Sequence, residues 1–268
     1  MTSVHALRCL LGIMKREYLR FLNQRERFIA ALVRPLLWLL IFATGFRAIL
    51  GVSIIEPYET YIPYEVYITP GLIAMIQLFN GMQSSLSMVY DREMGSMRTL
   101  LVSPVPRWYL LFCRLLAGTL VSILQSYAFL LVAALFDIRA PALGYVALLP
   151  ALIVTGLMLG AMGMVLSSMI RQLENFAGIM NFVIFPMFFL SSALYPLWRI
   201  QESSDLLYRL CILNPFTYAV ELIRFSLYLK TNGAAAAVVV VAFMGFAAIA
   251  VYAYDPARGI LSRKGTGE

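Results

Sequence analysis

From Asp91 to Arg107 the chain reads DREMGSMRTLLVSPVPR, and this charged segment separates two long uncharged runs. The runs extend from Val66 to Tyr90 and from Leu115 to Phe136, and neither contains Lys, Arg, Asp or Glu. Each run is long enough to cross about 30 Å of hydrocarbon, which takes about 20 helical residues. The segment between them is therefore predicted to lie at a membrane surface, either as a short amphipathic helix or as an ordinary cytoplasmic loop.

The segment has two distinct faces when it is projected onto a helix. Its apolar face would hold Met94, Met97, Leu100 and Leu101. Its charged residues Arg92, Glu93 and Arg98 would lie elsewhere. Pro104 and Pro106 would end the helix, because proline lacks a backbone donor and restricts the residue before it.

The composition is that of an all-α, polytopic membrane protein. The chain has 268 residues, of which 61% are hydrophobic and 13% charged, and its mean hydropathy is +0.81. A soluble domain carries about 25% charged residues. The three cysteines are far apart and the single His5 has no partner in the sequence, so neither a disulfide framework nor a metal site is expected.

Six spans are predicted, within one transmembrane domain that covers residues 1–268. Residues 4–28 form a basic amphipathic pattern that favours a helix in the headgroup region, although a soluble core-facing helix would have the same pattern. Residues 195–230 are too polar for a clean span and are broken at Asn214-Pro215, which favours a re-entrant hairpin over a plain outer loop. The spans are Phe28–Ile49, Val66–Tyr90, Trp108–Phe136, one within Ala142–Ile170, Phe176–Leu194 and Ala234–Tyr254.

The positive charges predict the orientation. All but six of the 21 Lys and Arg residues fall on the side that holds both termini and the 91–107 segment. This side is therefore predicted to be cytoplasmic, and the net charge of +7 is attributed to topology rather than to nucleic-acid binding. The six exceptions are Arg47, Arg139, Arg199, Arg209, Arg224 and Lys230.

A polar stripe runs along the second predicted span. Asn80, Gln83, Ser84 and Ser87 have the i, i+3, i+4, i+7 spacing of one helical face. In lipid such a stripe must face protein or water. It could hydrogen-bond to a neighbouring helix or line a substrate path.

No motif for nucleotide binding or catalysis is present. A phosphate-binding G-x-x-x-x-G-K-[ST] loop needs Lys after Gly, whereas Lys15, Lys230 and Lys264 follow Met14, Leu229 and Arg263. No H-E-x-x-H or serine-elbow pattern occurs either. If energy drives this protein, a partner must supply it.

Two motifs resemble those of ABC-2 type exporter permeases, the family that includes drug, polysaccharide and Nod-factor exporters. The 91–104 segment resembles the R-E-x-G-T-x-x-x-L-x-x-[ST]-P run of that family, with Ser96 in place of the usual Thr. The stretch from Asn214 to Arg224, NPFTYAVELIR, resembles its N-P-[LF]-[TS]-Y-x-x-[ED]-x-[LI]-R segment. Thr69-Pro70-Gly71 is similar to the P-G run that opens its second span.

The resemblance implies a permease that forms a homodimer in a bacterial inner membrane and pairs with two copies of a separate ABC ATPase. ATP and Mg²⁺ would bind that ATPase, so this chain would need no cofactor. Residues 91–104 would be the coupling helix seated on the ATPase, with both termini cytoplasmic. The contacts would come from Arg92, Glu93, Met94, Gly95, Met97, Arg98 and Leu100.

The polar stripe of Asn80, Gln83, Ser84 and Ser87 would then face the translocation pathway of the dimer. The short outer loop suggests a small or amphipathic substrate. Two other classes stay open, namely an ATP-independent channel or secondary transporter, and a membrane assembly factor without transport.

Overall fold

The computed structural model describes residues 3–23, 32–41, 56–93, 106–170 and 173–254. Within these ranges the chain forms ten α-helices. They are α1 (Ser3–Asn23), α2 (Leu32–Ile41), α3 (Tyr64–Glu93), α4 (Arg107–Leu135), α5 (Ala142–Met169), α6 (Leu173–Phe189), α7 (Leu197–Ser203), α8 (Asp205–Leu213), α9 (Pro215–Leu227) and α10 (Gly233–Ala253).

Four of these helices, α3, α4, α5 and α10, are long and apolar enough to cross a membrane. Their bounds differ by a few residues at most from the second, third, fourth and sixth predicted spans. Helices α8 and α9 would add a fifth if they count as one broken span. The described residues therefore support four or five spans rather than the predicted six.

The first and fifth predicted spans account for the difference. Only residues 32–41 of the first are described, as the ten-residue α2, and the rest of that prediction lies outside the described residues. The fifth corresponds to α6, whose 17 residues extend about 25 Å at 1.5 Å per residue. A turn follows at residues 190–195, so this helix is shorter than the hydrocarbon core.

Helix α5 is the centre of the bundle and packs against α3, α4, α9 and α10. Its glycines let the neighbouring helices approach closely. A Cβ atom at Gly163 would lie 2.7 Å from the Gly81 carbonyl oxygen of α3, and one at Gly156 would lie 2.8 Å from Thr119 Cγ2 of α4. Small residues at such positions permit the close approach of membrane helices.

The break at Asn214-Pro215 is present where the sequence predicts it. Helix α8 ends at Leu213, α9 begins at Pro215, and the two meet at 77°. Asn214 accepts a hydrogen bond from the Phe216 amide at 3.0 Å, and Pro215 stands at the first turn, where its missing donor is harmless. A re-entrant hairpin and a broken span both fit this geometry.

Candidate functional site

A buried arginine lies at the centre of one polar network. The Arg224 side chain on α9 is 3% exposed and donates from Nη1 to Glu221 Oε1 at 2.5 Å. Its Nη2 donates to the Ser192 carbonyl oxygen at 2.7 Å, and its Cζ lies 4.2 Å from the ring centroid of Tyr67. A guanidinium can be held out of water only with such partners, because an unpaired buried charge is very costly.

The tyrosines of helix α3 complete this network. Tyr67 donates to the same Ser192 carbonyl at 3.0 Å, and Tyr64 donates to the Leu194 carbonyl at 2.8 Å. Both rings are buried, whereas Tyr61 is 66% exposed. Tyrosines close to acidic residues and prolines are typical of an interfacial aromatic belt. That interpretation suits the exposed ring only, since Tyr64 and Tyr67 fix the turn after α6 to α3.

Tyr58 and Tyr228 close the outer end of the network. Their rings meet edge to face with centroids 4.6 Å apart, and the Tyr58 hydroxyl lies close to the Arg224 guanidinium. Burial raises the pKa of the Tyr58 hydroxyl above its usual value, and the opposing effect of Arg224 is smaller. The phenol therefore stays neutral at physiological pH, and the positive charge of Arg224 is balanced by Glu221.

Asn214, at the break between α8 and α9, bonds to α6. Its Nδ2 donates to the carbonyl oxygens of Met187 and Leu190, each at 2.7 Å. These carbonyls belong to the C-terminal end of α6, where the helix has no further turn to satisfy them. Thr217 Oγ1 donates to the Cys211 carbonyl at 2.7 Å and links α9 to α8. The NPFTYAVELIR segment thus joins α3, α6, α8 and α9 into one unit.

A second polar region forms a seam between α3 and α4. Asn80 Nδ2 donates to Gln125 Oε1 of α4, and Ser84 Oγ would lie 3.0 Å from a Cβ atom at Gly118 of α4. Ser87 Oγ bonds to the Ser84 carbonyl of its own helix at 2.6 Å, and Gln83 is half-buried. These contacts favour helix–helix hydrogen bonding, and the role of the stripe in a substrate path stays a prediction.

Gln77 is the member of this seam that sequence reasoning left out. Its side chain is buried, Nε2 donates to the Leu152 carbonyl at 2.8 Å, and Oε1 accepts from Thr155 Oγ1 at 2.6 Å. Gln77 lies one turn before Asn80 and two turns before Ser84, so it continues the same helical face, although the four-residue stripe did not include it. Thr155, a polar residue in the sequence of α5, could have indicated that α3 has a polar partner on α5 as well as on α4.

The predicted coupling segment lies mostly outside the described residues. Helix α3 does not stop at the end of the apolar run but continues without a break to Glu93, so Arg92 and Glu93 are its last two residues. Met94, Gly95, Met97, Arg98 and Leu100 lie outside the described residues, and their role in contacting an ATPase stays a prediction.

These features define a multipass α-helical membrane protein whose buried polar groups serve helix packing. No group of three or more His, Cys, Asp or Glu side chains that could hold a metal occurs among the described residues. The chain belongs to the ABC-2 type transporter family, whose model matches residues 9–228. It is a transport subunit rather than an enzyme, and membership in this family implies pairing with an ABC ATPase.

Its relatives include proteins named as permeases. A putative transport permease ycf38 of Porphyra purpurea is 26% identical over 82% of this chain and 74% of its own length. The protein of the same name from Cyanophora paradoxa is 26% identical over 84% of this chain and 76% of its own. A probable multidrug ABC transporter permease, YbhR of Escherichia coli, is 28% identical over 65% of this chain and 46% of its own.

Proposed function

We propose that this chain is the membrane subunit of an ATP-driven exporter. Two copies form the translocation pathway in a bacterial inner membrane, with both termini cytoplasmic. Each copy is driven by one of two ABC ATPase subunits, which bind ATP and Mg²⁺. The relative named as a multidrug permease supports a small or amphipathic substrate.

The length of α3 is the observation that carries this proposal. Its 30 residues span about 45 Å, well beyond the about 30 Å of the hydrocarbon core. The helix is therefore long enough to extend from the outer network through the hydrocarbon core into the opposite headgroup region, where Arg92 and Glu93 end it. A movement imposed on the 91–104 segment by an ATPase would reach the outer end through one unbroken helix.

The outer network supports the same mechanism, because α3 is tied there to other elements. Tyr64 and Tyr67 of α3 and Arg224 of α9 all bond to the turn after α6. Displacing α3 along its axis would move that turn and the re-entrant tip with it. ATPase closure would thereby be converted into opening at the outer side of the dimer.

Co-purification tests the proposal. The full chain, solubilised in mild detergent from its host, should retain a nucleotide-hydrolysing subunit. Glu93→Ala at the end of α3 should weaken that complex or uncouple its turnover, because a charge-assisted contact is lost. Glu59→Ala is the matched control, since Glu59 is 83% exposed at the other end of the molecule and should leave retention unchanged. If no ATPase co-elutes, the exporter proposal is wrong.

A further inference from the structure

A small cavity lies where α3, α4 and α5 meet. Its volume is about 10 Å³, and its polar lining is made of Gln77, Ser84, Ser85, Thr119 and Ser122. Glycines of all three helices form the rest of the wall, together with Leu115 and Met164. Every lining side chain is neutral, so the cavity suits a small dipolar molecule rather than an ion.

Thr119 has an unsatisfied group at this cavity. Its side chain is 4% exposed, and among the described residues its Oγ1 has no hydrogen-bond partner. An unpaired hydroxyl in the interior costs roughly 1–3 kcal/mol, and native proteins rarely keep one. A group inside the cavity would remove this cost.

The neighbouring side chains provide further partners at the same place. A Cβ atom at Gly156 would lie 3.3 Å from Gln77 Nε2, 3.4 Å from Ser122 Oγ and 2.8 Å from Thr119 Cγ2. Side chains of α3 and α4 thus converge on a point of α5 that has no side chain of its own. The Gln77 amide uses one N–H on the Leu152 carbonyl, and its second N–H stays available as a donor.

We infer that this cavity binds one structural water molecule, which bridges Thr119 of α4 to the polar side chains of α3. The volume is close to the lower limit for one water, and such a water needs two to four polar partners. The site is independent of the proposed export function. It makes the junction of the three central helices a hydrated contact instead of a dry one.

The first test compares melting temperatures of the full chain in detergent. Thr119→Val replaces the hydroxyl by a methyl group of nearly the same size. With a bound water it should lower the melting temperature, because the water loses a partner; in a dry cavity it should raise it, because an orphan hydroxyl is removed. Ser126→Ala is the control, since among the described residues that buried hydroxyl bonds to its own helix, at the Ser122 carbonyl, and does not line the cavity.

The second test detects the water directly. Short X-ray exposure of the protein in lipid nanodiscs makes hydroxyl radicals from bound water, which oxidise nearby methionine. Met164 lines the cavity, whereas the equally buried Met82 and Met158 do not. Oxidation of Met164 should be several-fold faster than that of both controls, and Thr119→Val should abolish the excess. A melting temperature raised by Thr119→Val, or a Met164 rate equal to the controls, would overturn the inference.

Discussion

The side chain of Arg224 has partners on α9, on α3 and in the turn after α6, and its loss should therefore weaken the contacts among these three elements. Arg224→Met leaves the Glu221 carboxylate without its partner and the Ser192 carbonyl short of a donor. Breaking a buried pair in this way costs about 3–5 kcal/mol. We expect a large fall in the melting temperature of the detergent-solubilised chain, measured by intrinsic tryptophan fluorescence.

Two further variants test whether the loss of stability comes from leaving one charge of the Arg224–Glu221 pair without its partner. Arg224→Met combined with Glu221→Leu removes both charges and should recover much of the stability, since an apolar pair can replace a buried ion pair. Arg209→Met breaks an ion pair with Asp205 whose side chains are 76% and 63% exposed, and it should change little. Equal losses for Arg209→Met and Arg224→Met would contradict the assigned role.

The hydroxyl group of Tyr67 makes a separate contribution to stability, which can be tested by removing its oxygen atom. Tyr67→Phe keeps the ring beside the Arg224 guanidinium and removes the hydroxyl, with its hydrogen bond to the Ser192 carbonyl. The expected loss is about 1 kcal/mol, the net value of one such bond. Tyr61→Phe removes the same atom from a ring that is 66% exposed, and its melting temperature should match that of the parent. A larger loss for Tyr61→Phe would argue that the outer loop is covered by another surface.

Helix contacts in this bundle depend on glycine at defined places. A Cβ atom at Gly163 would lie 2.7 Å from both the Gly81 carbonyl and Ser85 Oγ, so Gly163→Ala should push α3 and α5 apart. Gly245→Ala on α10 is the matched change, since nothing lies within 4 Å of its Cβ position. We expect the first variant to unfold at a clearly lower temperature and the second at the same or a slightly higher one. Equal responses would show that packing at Gly163 does not limit stability.

Sequence patterns predict the helices of this chain better than their contacts. The uncharged runs place α3, α4, α5 and α10 within a few residues, because lipid demands a long apolar helix wherever the chain crosses. The break at Asn214-Pro215 is also predictable from the sequence, because it depends only on these neighbouring residues. Periodicity within α3, by contrast, places Gln77 on the face of Asn80 and Ser84, but it does not show that Gln77 bonds to α5 and Asn80 to α4.

Burial of the outer tyrosines could not be read from the sequence either. Tyr58, Tyr64 and Tyr67 stand close in sequence to acidic residues and prolines, which is typical of a membrane interface. Tyr64 and Tyr67 bond to Leu194 and Ser192, and Tyr58 packs against Tyr228, all more than a hundred residues further along the chain. The sequence shows that Glu221 and Arg224 have i, i+3 spacing and could form an ion pair. It does not show that the pair is buried, because the burial results from the packing of α3 against α9.

The arrangement of the whole chain places several helix ends together. Lys230, before α10, lies 3.7 Å from Glu59, before α3, and a Cβ atom at Gly144, near the start of α5, would meet the Leu227 carbonyl. The starts of α3, α5 and α10 therefore lie at one end of the molecule. The basic α1 packs against α4, whose first turn lies at the other end. An excess of positive charge predicts that this other end is cytoplasmic.

Cysteine labelling tests that orientation. In a background with Cys9, Cys113 and Cys211 changed to Ala, Glu59→Cys and Leu11→Cys place one thiol at each end. Glu59 is 83% exposed and Leu11 is 56% exposed, so both thiols should be reachable by the reagent. A membrane-impermeant maleimide should label Glu59→Cys in intact cells and Leu11→Cys only after permeabilisation. The reverse pattern would place the 91–104 segment outside, where no ATPase could reach it, and would refute the proposed coupling as well as the orientation.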